Sequence, residues 1–113
     1  MFKEITTIDD WDDLFELSFK KPITVYIHSD TCHISAEAKK RIKDGIADGT
    51  IKDSVYVVTI QTAKEVSDKI EYDTGLKHES PQLIIIKEKE VLYFANHYDI
   101  NAVDIKEYMS DEK

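Results

Sequence analysis

A single cysteine, Cys32, carries all the thiol chemistry of this chain, so no internal disulfide can form and the framework of a disulfide-stapled secreted domain is excluded. A reducing, cytoplasmic setting is the expected location. Basic charge is short as well: 15 Lys and Arg stand against 23 Asp and Glu, for a formal net charge of −8. A surface of that sign repels phosphate backbones and anionic lipid, so neither nucleic acid nor a membrane is an expected partner. Long apolar runs are also missing. The longest aliphatic stretch covers residues 83–86, far below what a bilayer requires, and residues 1–13 show no basic region leading into an apolar one, so no export is expected. Only three glycines and two prolines punctuate 113 residues, without repeats or low-complexity segments. One domain over residues 1–113 is therefore expected. What remains is 42% hydrophobic and 34% charged, the composition of a chain that folds.

The apolar pattern alternates between helical and strand periods. Trp11, Leu14 and Phe15 predict a helix over 9–19, with Asp9 and Asp10 as candidate caps and Pro22 as its stop. Residues 23–27 then read as a buried strand. Ile34, Ala38, Ile42 and Ile46, interleaved with Lys39, Lys40, Arg41 and Lys43, predict an amphipathic helix ending near residues 45–49. A strand over 55–60 follows, then a helix with Ala63, Val66 and Ile70 on its buried side, ending before Gly75. Pro81 opens a strand over 82–87, and the polar tract 87–90 separates it from a second strand over 91–95, a hairpin. Asn101 caps a closing helix, with Asp104 three residues on and Val103, Ile105, Tyr108 and Met109 as its apolar residues, fraying over 110–113. Residues 2–5 are a candidate edge strand. Strands alternating with helices imply parallel pairing through right-handed crossovers, and the hairpin adds an antiparallel strand. The class is α/β, a central mixed β-sheet flanked by α-helices, in the element order of a thioredoxin-like fold.

Cys32 falls where the buried strand runs into the amphipathic helix. The first N–H groups of a helix lack intrahelical partners and the dipole there is positive, so a thiolate is stabilised and becomes the attacking species. A free cysteine is often a small buried hydrophobe. Here its neighbours Ser29, Asp30, Thr31, His33 and Ser35 are polar, which favours a reactive thiol, although a negative charge at Asp30 would raise its pKa. Position 35, where a dithiol oxidoreductase carries its second sulfur, holds a serine, so no resolving sulfur exists within the chain. Ser35 either donates to the Cys32 thiolate or caps the helix. His33 is expected to be solvated, with at most a modest field effect. His28, His78 and His97 lie in three separate segments without ligand spacing, so no metal is expected. There is no glycine-rich phosphate loop and no G-x-S-x-G elbow.

Thr31-Cys32-His33-Ile34-Ser35, together with Lys77-His78-Glu79-Ser80-Pro81-Gln82, resembles the YtxJ-type monothiol bacilliredoxins of the bacillithiol system, across essentially the whole domain. The resemblance implies a thioredoxin fold in which Ser80-Pro81 is a cis-proline turn opposite the cysteine, where the backbone of Ser80 can pair with an extended substrate. The competing reading of Pro81 is a trans residue that merely starts a strand. The resemblance further implies that Cys32 takes bacillithiol from S-bacillithiolated proteins and that a second, low-molecular-weight thiol releases it. Thr31, His33, Ile34 and Ser35 would support the cysteine, and Ser80 and Pro81 would bind substrate. No tightly bound cofactor is implied, bacillithiol is the thiol co-substrate, and a monomer is expected. His33 stands where the family carries proline, which leaves the Cys32 pKa and the substrate preference open. The alternative function is a non-catalytic thioredoxin-fold module, acting in stress response or redox sensing; a third is an iron–sulfur carrier sharing its cluster between subunits.

Overall fold

The central strand is the one whose residues suit cover on both faces. β2 (Ile23–His28) is buried at every position, as a strand sandwiched between two helical layers must be. It pairs in parallel with β3 (Val55–Thr59) and antiparallel with β4 (Gln82–Lys87). β1 (Phe2–Glu4) lies parallel outside β3, and β5 (Glu90–Asn96) antiparallel outside β4. The computed structural model describes residues 1–110, and its sheet is mixed, in the order β1-β3-β2-β4-β5. The edge strand, the hairpin and the mixed pairing all match the sequence pattern. Glu88 and Lys89 turn the hairpin with φ of 55° and 62°, the conformation that a two-residue turn needs to follow the strand twist.

Alternation along β2 divides the core into two layers. Ile23, Val25 and Ile27 pack with Trp11 and Leu14 of α1 (Ile8–Leu17) and with Val66 and Ile70 of α3 (Lys64–Thr74). Tyr26, on the opposite face, packs with Ala38 and Ile42 of α2 (His33–Ala47) and Ile105 of α4 (Ala102–Met109). No helix among the described residues is long and apolar enough to cross a membrane.

Several local expectations need correction. α1 is capped by Thr7, whose hydroxyl accepts from the Asp10 N–H at 3.1 Å, rather than by Asp9 or Asp10. Those two aspartates lie within the first turn, where they face the positive end of the dipole. The helix stops at Leu17, short of 19 and well before Pro22, and a turn fills the gap. In α2 the buried stripe is Ser35, Ala38, Ile42 and Gly45, while Ile34 and Ile46 flank it half-buried. Steps of four residues overshoot a turn of 3.6, so a strict i+4 series drifts around the cylinder and the true stripe mixes steps of three and four. The end of α2 at Ala47, with Asp48 as its C-cap, falls within the expected 45–49. Val103 is 66% exposed, on the far side of α4 from buried Ile105. Asn101 caps α4 as expected, its Oδ1 accepting from the Asp104 N–H at 2.9 Å. Ser110 is the C-cap of α4; the rest of the expected frayed end, residues 111–113, lies outside the described residues.

One buried polar tie between α1 and α3 has a pH signature. The indole N–H of fully buried Trp11 donates to Asp73 Oδ2 at 2.8 Å, and Lys69 Nζ lies 2.7 Å from the same oxygen. Burial pushes the Asp73 carboxyl up, but Lys69 and the Trp11 N–H together outweigh it and hold the pKa below the ordinary value. A carboxyl depressed on folding contributes stability above its unfolded pKa and loses it as pH falls through the folded one. Asp73→Asn is therefore expected to cost about 1–2 kcal/mol at pH 7, about 5–10 °C in Tm. The gap should close on acidification below about pH 4, in thermal melts followed by circular dichroism.

Candidate active site around Cys32

β2 ends at His28, and the four residues 29–32 turn the chain into α2. The Cys32 N–H donates to the Ser29 carbonyl at 3.4 Å, closing that turn. Cys32 is the N-cap of α2, with extended backbone at φ −110° and ψ 121°, and it is half-buried. Its thiol is held below the ordinary value, foremost by the backbone N–H of Ser35; partial burial opposes this, while the Ile34 N–H and the Ser35 hydroxyl reinforce it. These are the orphan donors of a first helical turn, acting on the residue that the turn begins with.

Ser35 is fully buried, and its Oγ accepts from the Ser29 N–H at 3.3 Å. It does not cap the helix. As the third helical residue it ties the turn to α2, and its hydroxyl is among the groups that lower the Cys32 pKa. Ser29 is likewise buried, so the polar turn is partly core, its hydrogen bonds met internally. Gln61, just beyond β3, reaches across to the same turn. Its Nε2 donates to Ser29 Oγ at 3.0 Å and to Thr31 Oγ1 at 3.4 Å, and its Oε1 accepts from the Asp30 N–H at 2.9 Å. Thr31 thus belongs to the clamp on the turn.

Below the turn lie two further groups. Tyr26 Oη donates to the Ser35 carbonyl at 2.8 Å and lies 3.2 Å from His28 Nδ1. His28 Nε2 is 3.2 Å from Asp30 Oδ1. Asp30, the negative charge that would have opposed a thiolate, is therefore turned toward His28. His33 is 81% exposed at its side chain, 3.5 Å from Glu37 Oε2 one turn on. It is solvated, as expected, and the helix starts at this residue without a proline.

The Ser80-Pro81 peptide is cis. Ile27 pairs with Gln82 in the antiparallel β2–β4 ladder, so one step further along sets Pro81 opposite His28, at the end of the sheet from which the Cys32 turn departs. The Pro81 carbonyl accepts from the His97 N–H at 3.0 Å, and His97 Nε2 lies 3.4 Å from Glu79 Oε1. His78 hydrogen-bonds Ser67 at 2.9 Å, away from this cluster. Among the described residues no three His, Cys, Asp or Glu side chains gather as a metal site. Sequence reasoning missed Tyr26, His28 and Gln61 as parts of the site. The first two carried a signal, since strand alternation sets positions 26 and 28 on the face that receives α2; Gln61 carried none.

The chain matches the family model of the monothiol bacilliredoxin BrxC over residues 3–105. Among solved structures it superposes with a TM-score of 0.82 and 28% identity on a protein described as a candidate oxidoreductase with a thioredoxin fold, covering 95% of this chain and 92% of that one. Thioredoxin of Fasciola hepatica is similar at a TM-score of 0.72 and 14% identity, covering 98% and 99% of the two chains. Reduced thioredoxin of Schistosoma mansoni gives 0.71 and 15%, covering 96% and 94%. At these identities the two thioredoxins establish the fold alone.

Proposed function

Because the chain belongs to the monothiol bacilliredoxin family and has the thioredoxin fold, we propose that it is a thiol–disulfide exchange enzyme whose Cys32 removes bacillithiol from S-bacillithiolated proteins. The observation that carries this reading is a lone cysteine at the N-cap of α2, its pKa lowered by the Ser35 and Ile34 N–H groups, with a serine where a second sulfur would stand. A lowered pKa raises the thiolate fraction near neutral pH, and the thiolate is what attacks a disulfide.

The Cys32 thiolate attacks the bacillithiol sulfur of the mixed disulfide. A new S–S bond joins Cys32 to bacillithiol, the old one breaks, and the target protein leaves as its thiolate. A low-molecular-weight thiolate, bacillithiol itself in the simplest case, then attacks the adduct, forms the bacillithiol disulfide and restores the Cys32 thiolate; electrons and protons balance without a metal or bound cofactor. The half-buried Ser80, preceding Pro81 at the same end of the sheet, supplies backbone groups for an extended target. A reducing, cytoplasmic setting and action as a monomer belong to the same reading.

Incubating a bacillithiolated protein with the wild type should move the bacillithiol mass onto Cys32 within minutes, seen by non-reducing mass spectrometry. Cys32→Ser should acquire none. A wild-type Cys32 that stays free while alkylating slowly at pH 7 would leave a non-catalytic module in place of the enzyme.

A further inference from the structure

Three links run in series beneath the Cys32 turn: Ser35 carbonyl to Tyr26 Oη, Tyr26 Oη to His28 Nδ1, and His28 Nε2 to Asp30 Oδ1, at 2.8, 3.2 and 3.2 Å. Each link needs one hydrogen. The two ends, a carbonyl and a carboxylate, have none to give. Tyr26 supplies one and a neutral imidazole one more, so a neutral His28 leaves the chain one hydrogen short; an imidazolium completes it. Tyr26 is fully buried and His28 nearly so, which removes water as an easy substitute for a missing bond.

With His28 charged, Nδ1–H donates to Tyr26, Nε2–H donates to Asp30, and the phenol proton stays on the Ser35 carbonyl. With His28 neutral and its proton held on Nε2 by Asp30, Nδ1 becomes an acceptor and competes with Ser35 for the same phenol proton. Ser35 is the residue whose N–H and hydroxyl act on the Cys32 thiol. We propose that His28 is a positioning residue for Cys32, acting through Tyr26 on Ser35, so that protonation of His28 tightens the first turn of α2 and favours the Cys32 thiolate. The effect is on thiolate stability and rests on the reading of Cys32 as the exchange nucleophile.

The groups facing His28 set where it titrates. Burial foremost, and Lys39 from α2 after it, oppose its charge, while Asp30 from the turn and Glu4 from β1 favour it, and the balance lowers its pKa from the ordinary value. Tyr26 beside it faces Arg41 of α2 and Cys32, and its own pKa is raised, chiefly by burial, so the phenol keeps its proton throughout. The switch therefore lies on the acid side of the ordinary imidazole pKa.

The test is the rate of Cys32 alkylation by iodoacetamide from pH 8 down through the titration of the His28 ring, in the wild type, Tyr26→Phe and His28→Gln, with the ring followed by NMR. In the wild type the logarithm of the rate against pH should bend where the ring titrates. In Tyr26→Phe the ring should still titrate but the bend should vanish, with the rate on the acid side of the ring titration about two- to fivefold below wild type and the two within error at pH 8. His28→Gln should lose the bend as well. Should that variant fail to fold, Tyr26→Phe with its ring titration decides alone. A wild-type profile straight through the ring titration, or a Tyr26→Phe deficit of the same size at every pH, overturns the proposal. Alkylation uses no bacillithiol, so a bend without transfer of bacillithiol would refute the exchange reading and leave the coupling standing, whereas transfer without a bend would do the reverse.

Discussion

Gly45→Leu is expected to lower Tm by about 15 °C or more, a loss of about 3 kcal/mol, and Gly45→Ala by about 5 °C, although alanine is the better helix former. Gly45 sits inside α2 with a negative φ, so its backbone needs no glycine. The space does. A Cβ built at this position comes within 2.5 Å of Ala102 Cβ and 3.1 Å of Ile51 Cδ1. Ile51 is a flexible end that can give way, but Ala102 Cβ is fixed to the backbone of the first residue of α4, and nothing short of moving that helix relieves the overlap. In Gly45→Ala the usual gain of about 0.5–1 kcal/mol from helix propensity is set against an overpacking cost of about 1–3 kcal/mol, and the cost wins. The double variant Gly45→Ala with Ala102→Gly should recover most of the lost stability, because the methyl is merely transferred across the contact. An unaltered Tm in Gly45→Ala would mean that α4 slides freely on α2. The contact matters to the site, since Arg41 of α2 also donates to the carbonyls of Ile100 and His97 at 2.8 and 3.3 Å, and His97 holds the Pro81 carbonyl. α2 carries Cys32 at its start, so the packing at its far end helps aim the thiol.

The elements that sequence reading located well are those whose signals are local. Pro81 does directly precede β4, Gly75 does end α3 in the left-handed conformation with φ +76°, and Asn101 does cap α4. In each, one residue's own backbone preference or side-chain reach sets the boundary. Cys32 was legible for the same reason, since a strand pattern giving way to a helix pattern is enough to place a residue at a helix start. The support around it was less legible. A serine three residues after the cysteine reads as missing sulfur, yet the structure gives it a bond to the Ser29 N–H, a carbonyl held by Tyr26 and full burial. Gln61 meets the turn from about thirty residues away, through a loop whose path follows from the whole sheet order rather than from its own composition. The same holds for Gly45, whose lack of a side chain has its reason only once Ala102 of α4 is packed against it.

On the proposed reading of Cys32 as the acceptor of bacillithiol, Ser35→Cys is expected to convert one-cysteine chemistry into two-cysteine chemistry and to reduce the Cys32–bacillithiol adduct more than tenfold. Residues three apart on a helix bring their Cβ atoms to about 5–6 Å, beyond the roughly 3.5–4.5 Å that a disulfide spans, and the N-cap residue, with the freer backbone of the pair, must move in to close the difference. A thiolate at position 35 can then attack Cys32 Sγ in the adduct. A disulfide forms between Cys32 and the introduced sulfur, the bond to bacillithiol breaks, and bacillithiol leaves as its thiolate. Because the attack is intramolecular it outruns release by a dilute external thiol. Non-reducing mass spectrometry should show the adduct replaced by a species lacking two hydrogens. Ser35→Ala is the control: it has no sulfur, so the adduct should persist, while loss of the hydroxyl that now favours the thiolate should raise the Cys32 pKa. Both variants give up the Ser29 N–H acceptor, at a cost of about 1–3 kcal/mol, so each should melt several degrees below wild type without unfolding at 25 °C. An adduct as abundant in Ser35→Cys as in wild type would mean that the buried position cannot turn toward Cys32, and that the monothiol character of this site is fixed by its packing as well as by the identity of residue 35.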